Sequence, residues 1–335
     1  MRQTICGVSV LAALALIAAT TGSVPGARAV DQQPLLRSPL GAEVFADTYD
    51  YDLPARTLDL EGNVRLISAR ARMTAAKMRV QWNEERVITL AKAEGGVTLA
   101  QEGEGDVTIE GQAAAGEFRE TDRTALLTGG VTVHYRSPDL AEPAVLRGDR
   151  AQLDLGKGVT TIHRGKESPV TIRVQPRGKP DCPKPDPIVL SGDRVDITRT
   201  REGTEYVATG QPLLTTGESR LRASRLRFVI EPETNDVAEV YAENDVEFEG
   251  KGRQGGRGHL TGRHAVFQRR TQLVTVTGDV RAEIWARGDE RPHLLQQERL
   301  VYNLETERVT GSGGFRGSIP PRQQPRANPP STGNP

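Results

Sequence analysis

The sequence predicts an all-β protein, a repeat-built, twisted antiparallel β-jelly-roll forming an open slab of about 24 short strands around an apolar interior. One string recurs along the chain: an apolar residue, a Gly at the third position, a cation at the fifth, then apolar residues at every second position, as in Leu146-Arg-Gly-Asp-Arg-Ala-Gln-Leu-Asp-Leu155. This alternation is typical of a half-buried strand and differs from the three-and-four spacing of a helix. The 35 Gly and 21 Pro lie largely between such runs, which indicates many turns.

The repetition is the main architectural signal. Eight copies of the string begin at residues 44, 73, 109, 146, 190, 221, 260 and 295, a period of 29 to 44 residues. Later in each copy comes a second string, Gly-x-Val-x-apolar or a relative of it, such as Gly95-Gly-Val-Thr-Leu99. A third short apolar run lies between the two, so each copy is predicted to form about three strands.

The spacing within one string predicts a bend. Leu146 and Leu153 are seven residues apart, an odd number that would place them on opposite faces of a regular strand. A bulge or sheet corner near Gly148 and Asp149 would restore the phase. Recurrent corners would let a long ribbon bury one face on itself. The recurring pairs Asp149-Arg150 and Asp193-Arg194 are then expected to be solvated or to support the corner, not to catalyse a reaction.

Residues 1–29 have the layout of a secretory signal peptide, with a basic start, an apolar run over 8–19 and an Ala-x-Ala site at 27–29. The alternative is an uncleaved inner-membrane anchor. Cys6 would leave with the signal, and Cys182 alone cannot form an internal disulfide.

The mature chain divides by composition. A polar lead (30–43) precedes repeats 1–4 (44–175), a Pro-rich stretch (176–187), repeats 5–8 (188–317) and a polar tail (318–335) that we expect to be disordered. The Pro-rich stretch is predicted to be a surface loop in one continuous slab, because repeats stack best when they are continuous. A hinge between two four-repeat lobes is the alternative.

Several function classes are disfavoured by composition. Lys+Arg and Asp+Glu are equal at 44 each and aromatics are 4%, so a nucleic-acid partner is not expected. No nucleophile elbow, phosphate loop or dinucleotide fingerprint occurs, so we predict a protein that is not an enzyme and has no cofactor. No metal site is predicted, because metal-ligand spacing is lacking among His134, His163, His259, His264 and His293.

The second half contains a local excess of basic residues. We expect a charged outer strand face that resists aggregation, with contacts to lipid phosphates as the alternative. These residues are Arg220, Arg222, Arg225, Arg227, Lys251, Arg253 and Arg257.

The strings Leu-x-Gly-Asp-Arg-Ala-x-Leu-Asp-Leu and Leu60-Glu-Gly-Asn-Val-Arg-Leu66, following a signal peptide, resemble the OstA-like family of lipopolysaccharide transport proteins, which includes the LptA–LptC group. The resemblance covers 44–315. It implies a partly open β-jelly-roll, a location in the periplasm, lipopolysaccharide or a related lipid as partner, and edge-strand contacts with other OstA-like subunits, including copies of itself.

A lipid carrier needs an apolar trough, because each methylene exposed to water costs about 0.8 kcal/mol. The inner wall of this trough, the predicted lipid-binding surface, is expected to comprise Val64, Leu66, Val97, Leu99, Val131, Val133, Val170, Ile172, Val246, Phe248 and Val280. The same residues could instead fill a dry core. The main alternative function is a secreted structural β-repeat scaffold or adhesin without a lipid ligand. A β-helix enzyme acting on polysaccharide fits less well, because its coils would repeat every 20–25 residues or so.

Overall fold

The computed structural model describes residues 33–318, apart from 104–105, 139, 167, 176–185, 232–235, 253 and 315. Regular structure within these residues is β-strand throughout, in one antiparallel sheet of 23 strands. The predicted all-β class is confirmed. The signal peptide, Cys182, most of the Pro-rich stretch and nearly all of the tail lie outside the described residues. No described residue belongs to a helix long and apolar enough to cross a membrane.

Ten strands are 11 to 16 residues long, so the expectation that all strands are short is wrong. The long strands are β4 (Thr57–Ile67), β5 (Ala71–Trp82), β6 (Ile88–Glu102), β7 (Thr108–Arg119), β8 (Thr124–Arg136), β9 (Ala144–Asp154), β18 (Asp236–Lys251), β19 (Arg257–Gln268), β20 (Leu273–Trp285) and β21 (His293–Asn303).

The remaining strands are short and pair with only one half of a long strand or with each other. Six lie beside the halves that we call row A: β3 (Thr48–Asp52), β10 (Val159–His163), β13 (Arg194–Thr200), β14 (Gly203–Thr209), β17 (Arg225–Glu231) and β22 (Val309–Ser312). Seven lie beside the other halves, row B: β1 (Leu36–Arg37), β2 (Glu43–Phe45), β11 (Val170–Val174), β12 (Ile188–Gly192), β15 (Leu213–Thr216), β16 (Ser219–Arg222) and β23 (Arg316–Ser318).

The pairings define two parallel courses through the single sheet. Row A runs β3, β4 to β10, β13, β14, β17 and then β18 to β22. Row B runs β1, β2, β4 to β9, β11, β12, β15, β16, β18 to β21 and β23. The long strands belong to both rows and connect them.

Each long strand changes row at a corner where the pairing register shifts. Between β8 and β9 the partners jump from Thr128↔Arg150 to Val131↔Gly148. The two intervening residues of β8, Gly129 and Gly130, have left-handed φ values of 82° and 68°. The second string, on β8, is therefore paired with the first string, on β9, at the same corner. The register shift there is the phase change predicted near Gly148.

Left-handed pairs recur at successive corners, and glycine or a short polar residue supplies them because such residues adopt positive φ most readily. The pairs are Gly62/Asn63, Gly95/Gly96, Gly129/Gly130, Gly210/Gln211, Asn244/Asp245, Gly278/Asp279 and Gly313/Gly314. At two of these corners the first member also needs to be small. A Cβ at Gly129 would lie 2.9 Å from the Cβ of Ala114, and one at Gly95 would lie 2.8 Å from the Cβ of Ala76.

The two rows pack face to face, and their inward side chains form one apolar core. The small residue in the first string makes this possible. A Cβ at Gly148 would lie 2.5 Å from Cγ2 of Ile162, and one at Gly111 would lie 2.5 Å from Cδ1 of Leu127. Ile162 and Leu127 both belong to row A. Row B therefore has glycine at the positions that these two side chains approach most closely. The recurrence of Gly in the string is thus a packing requirement.

The sheet continues on both sides of the Pro-rich stretch. The flanking strands β11 and β12 pair directly with each other, from Val170↔Gly192 to Val174↔Ile188. The described residues from 34 onward form one compact unit. The loop or hinge itself lies mostly outside the described residues, and its interpretation as a loop stays a prediction.

The corner geometry predicts different costs for two adjacent substitutions. Gly129→Ala should lower the free energy of unfolding by about 2 kcal/mol or more, because the new methyl group adds a clash with Ala114 to the strain of a positive φ. Gly130→Ala should cost only about 1 kcal/mol, since no atom lies within 4 Å of its added Cβ. Urea denaturation of both variants measures the difference.

Gly130→Asn is the matched control. It should lower the free energy of unfolding less than Gly130→Ala does, because Asn tolerates the left-handed region of φ. Equal losses for the two alanine variants would contradict the close-approach explanation.

Candidate functional site

The predicted inner wall lies on one side of the core. All eleven predicted lipid-contact residues belong to row B or its corners, face inward, and are at most 2% exposed. They are Val64, Leu66, Val97, Leu99, Val131, Val133, Val170, Ile172, Val246, Phe248 and Val280. In this structure they touch the opposite row and do not line an open groove.

Row A supplies the other half of the interior, which the predicted site omitted. Its inward residues include Leu58, Leu60, Leu127, Tyr206 and Phe228, all nearly inaccessible, and the Tyr206 and Phe228 rings stack with centroids 4.9 Å apart. The signal was available, since Leu226, Phe228 and Ile230 of row A alternate as regularly as the residues of the second string. The second string occurs only in the half of a strand that follows the corner. The lipid-contact residues chosen from that string therefore all lie in row B.

The rows meet again at the strand ends opposite the corners, which we call the rim. The turns of row A and row B face each other there without a covalent connection. Seven polar residues are buried among the residues that the structure describes, and every one lies at the rim, within or beside a turn: Ser38, Gln101, Glu120, Ser137, Thr160, Gln175 and Thr204. A polar seam thus borders the apolar interior on the side where the chain does not close it.

One contact crosses the rim near the middle of the slab. The hydroxyl groups of Tyr135 in row B and Thr204 in row A are 3.4 Å apart. Arg199 also donates a hydrogen bond from Nη1 to Thr204 Oγ1 at 3.0 Å. The predicted partly open slab is therefore bridged here by one hydrogen bond between side chains of the two rows.

Tyr302 in β21 is fully buried, and its hydroxyl has no hydrogen-bond partner among the described residues. Burial, together with the negative charge of Glu307, raises its pKa to about 12. A buried hydroxyl without a partner costs stability, so this position is a polar feature that the closed fold does not satisfy.

The two ends of the slab differ in character. At the first end, Tyr49 and Tyr51 of edge strand β3 lie opposite Leu60 and Leu58 and therefore belong to the inner face. Tyr49 is nevertheless 59% exposed, and Leu53 after it is 69% exposed. At the last end, edge strand β22 is Val-Thr-Gly-Ser and mostly exposed. The apolar interior thus reaches solvent at the first end.

Ion pairs between neighbouring segments cover the outer face of the second half of the sheet. Arg222 lies 3.2 Å from Glu247, Arg225 lies 3.2 Å from Glu243, and Lys251 lies 2.9 Å from Glu218. Arg227 is bound by Glu205. Most of the basic residues noted in the sequence are thus neutralised by partners on adjacent strands, and Arg253 lies outside the described residues. The corner acid Asp193 pairs with Arg164 at 2.7 Å, whereas the adjacent Arg194 binds Asp196.

One group of possible metal ligands was not found from the sequence, because its members lie on two strands. Ligand atoms of Glu247, Glu249 and His259 lie within 4.8 Å of one another. Glu247 is already held by Arg222 and by His259, the latter at 3.2 Å, and all three side chains lie at the partly exposed outer face. Their contacts are those of an ion-pair cluster, and we assign no metal to it. His259 and His264 both belong to β19, on either side of its corner.

Part of the chain is similar to a known protein family. Residues 43–159 match the family described as LptA/(LptD N-terminal domain) LPS transport protein, which is 117 of the 335 residues. The crystal structure of LptH, the LptA-homologous periplasmic component of the lipopolysaccharide transport device from Pseudomonas aeruginosa, is similar over 44% of this chain and 92% of that chain, with 12% identity and a TM-score of 0.33. No curated protein matches.

The unsatisfied hydroxyl generates a prediction. Tyr302→Phe should leave the fold intact and raise the free energy of unfolding by about 1 kcal/mol, because it removes a buried group that has no partner. Tyr135→Phe is the matched control and should lower it by about 1 kcal/mol, since its hydroxyl contacts Thr204. Denaturation at neutral pH measures both.

The pH dependence tests the same group. An unfolded tyrosine loses its proton near pH 10, whereas folded Tyr302 keeps it to about 12. Between these values the unfolded state binds fewer protons, so the stability of the wild type should fall as pH rises through this window. Tyr302→Phe should lose less stability over the same range, and equal slopes would contradict the assignment.

Proposed function

We propose that this chain is a periplasmic, non-catalytic carrier or bridge protein in lipopolysaccharide transport to the outer membrane, comparable to the LptA–LptC group. One observation carries the proposal: the segment 43–159 that matches the transport family contains corners at 62/63, 95/96 and 129/130, and corners of the same left-handed geometry recur beyond it at 210/211, 244/245, 278/279 and 313/314. The whole described chain thus repeats the unit that the family match identifies.

The interior suits the apolar part of a lipid. An acyl chain of a dozen methylenes costs roughly 10 kcal/mol in water, at about 0.8 kcal/mol for each buried CH₂. Inward residues of row B offer aliphatic contacts from β4 to β20, along nearly the entire slab. A lipid moving along this row would exchange one set of aliphatic contacts for another of similar strength, which favours transit over retention at one position.

Uptake would require the rows to part at the rim. Since the eleven inner-wall residues are buried against the opposite row, acyl chains would take the place of row A contacts. The corners hold the rows together covalently while the rim opens. Polar residues such as Thr204 and Gln175 would then lie beside the sugar and phosphate portion of the lipid, where hydrogen-bonding groups are needed.

The ends are the proposed contacts with other transport subunits, including further copies of this chain. Strand β3 at one end and strands β22 and β23 at the other have free backbone edges that can extend the sheet by strand addition. Strand addition at the first end would also cover Tyr49 and continue the apolar interior into the next subunit.

Photo-crosslinking tests the carrier function. A photoreactive amino acid at Val131 or Val246 should crosslink to lipopolysaccharide added to the purified protein, because both side chains face the interior. The same amino acid at Thr132 or Glu247, the next residue along each strand and hence on the outer face, is the control and should crosslink at least severalfold less.

A protein that purifies without lipid and gives no crosslink at the interior positions would exclude the carrier function. That result would support the structural scaffold instead.

A further inference from the structure

A glycine-rich stretch of the sequence, Gly250-Lys-Gly-Arg-Gln-Gly-Gly-Arg-Gly258, joins the end of β18 to the start of β19, and the repeat does not explain it. Its glycines make room for residues of row A. A Cβ at Gly258 would lie 2.7 Å from Cε1 of Tyr302, and one at Gly252 would lie 2.6 Å from Cγ of Glu307. This hairpin of row B therefore lies directly under the turn between β21 and β22 of row A.

Glu307 fastens the two turns together. Its Oε1 accepts a hydrogen bond from the backbone N–H of Gly256 at 2.8 Å. The turn that presents it is rigid, because the side chain of Asn303 accepts hydrogen bonds from the N–H groups of Glu305 and Thr306 at 2.9 and 2.8 Å. The contact joins row A to row B across the rim, close to the last end of the slab.

An acid at this turn position is unusual within the chain. Corresponding turns of row A have arginine or glutamine in the same left-handed conformation: Arg56, Arg86, Arg123 and Gln272, with φ of 53°, 63°, 51° and 53°, against 57° for Glu307. The backbone requirement thus does not select glutamate. The acid instead supplies the acceptor for the backbone N–H of Gly256 in the hairpin opposite.

Behind this joint lies the apolar interior. A Cβ at Gly250 would meet Phe248 and Leu304, and one at Gly258 would meet Tyr302 and Ile284. The unpartnered hydroxyl of Tyr302 is buried at the same place. Separation of the two turns would expose an apolar wall and one free hydroxyl, which match an acyl chain and the ester or hydroxyl group it bears in lipids.

We propose that the joint between Gly252 and Gly256 of row B and the 304–308 turn of row A is a lateral port for a lipid acyl chain, and that Glu307 is its latch. This port rests on the proposed carrier function and is the place where the lipid would enter the slab. While the Glu307 carboxylate binds Gly256, the port is closed, and loss of this contact admits the chain beside Tyr302.

Three variants test the latch. Glu307→Arg places at this turn the residue found at 56, 86 and 123, so the turn should form, but the acceptor for Gly256 is lost. Gly252→Ala keeps the charge and displaces the Glu307 side chain, which supplies the three atoms nearest to the added Cβ. Glu307→Gln retains an acceptor oxygen and is the matched control.

Two measurements on the full chain are needed. Hydrogen exchange of the 251–257 amides without lipid should be about tenfold faster in Glu307→Arg and Gly252→Ala, and within about twofold of wild type in Glu307→Gln. The rate of uptake of fluorescently labelled lipopolysaccharide, followed by stopped-flow, should rise by a similar factor in the same two variants.

The outcomes separate the two proposals. Unchanged exchange in both latch-deficient variants would overturn the latch. Faster exchange with uptake at the wild-type rate would overturn the port. Absence of uptake by every variant, wild type included, would overturn the carrier function and with it the port, whereas the exchange data would still report whether the latch exists.

Discussion

The structure depends on a pair of consecutive residues with positive φ. At Gly129 and Gly130 this pair turns β8 out of one row and into the next, and the same device recurs along the sheet. Without it, strands of 11 to 16 residues would extend as a flat ribbon with one apolar face in water. Because the bend lies in the middle of each strand, the apolar face folds against itself and the chain forms a core from a single sheet.

Much of this could be predicted from the sequence. The alternation of Ala151 and Leu153 predicted strands, and the odd spacing from Leu146 predicted a bend near Gly148. The strings repeat because the corner needs two partners: a left-handed pair on one strand and a small residue on its neighbour. Strand lengths were not predictable, since an apolar pattern interrupted at Gly129 and Gly130 looks like two strands when the hydrogen-bonded partners are unknown.

The site was only partly predictable for a related reason. Alternation tells which residues face inward, but which inward faces meet depends on the bend. The residues Val131 and Val133 were selected by a string that follows the corner, so the facing residues of row A were missed. The rim could not be predicted, because contacts such as Tyr135 to Thr204 join residues 69 positions apart that share no pattern. Glu307 was equally hidden, since only the folded chain places it beside Gly256.

The division into covalent corners and a non-covalent rim decides how such a fold can open. Separation of the rows exposes apolar surface, and an acyl chain placed between them covers that surface again at about 25 cal/mol for each Å². For a carrier of the proposed kind, the free energy lost by exposing the apolar surface is therefore largely regained when the acyl chain covers it. The remaining cost of opening is the loss of the hydrogen bonds across the rim. Contacts such as Tyr135 to Thr204 and Gly256 to Glu307 would therefore contribute more to the barrier to uptake than the buried core does.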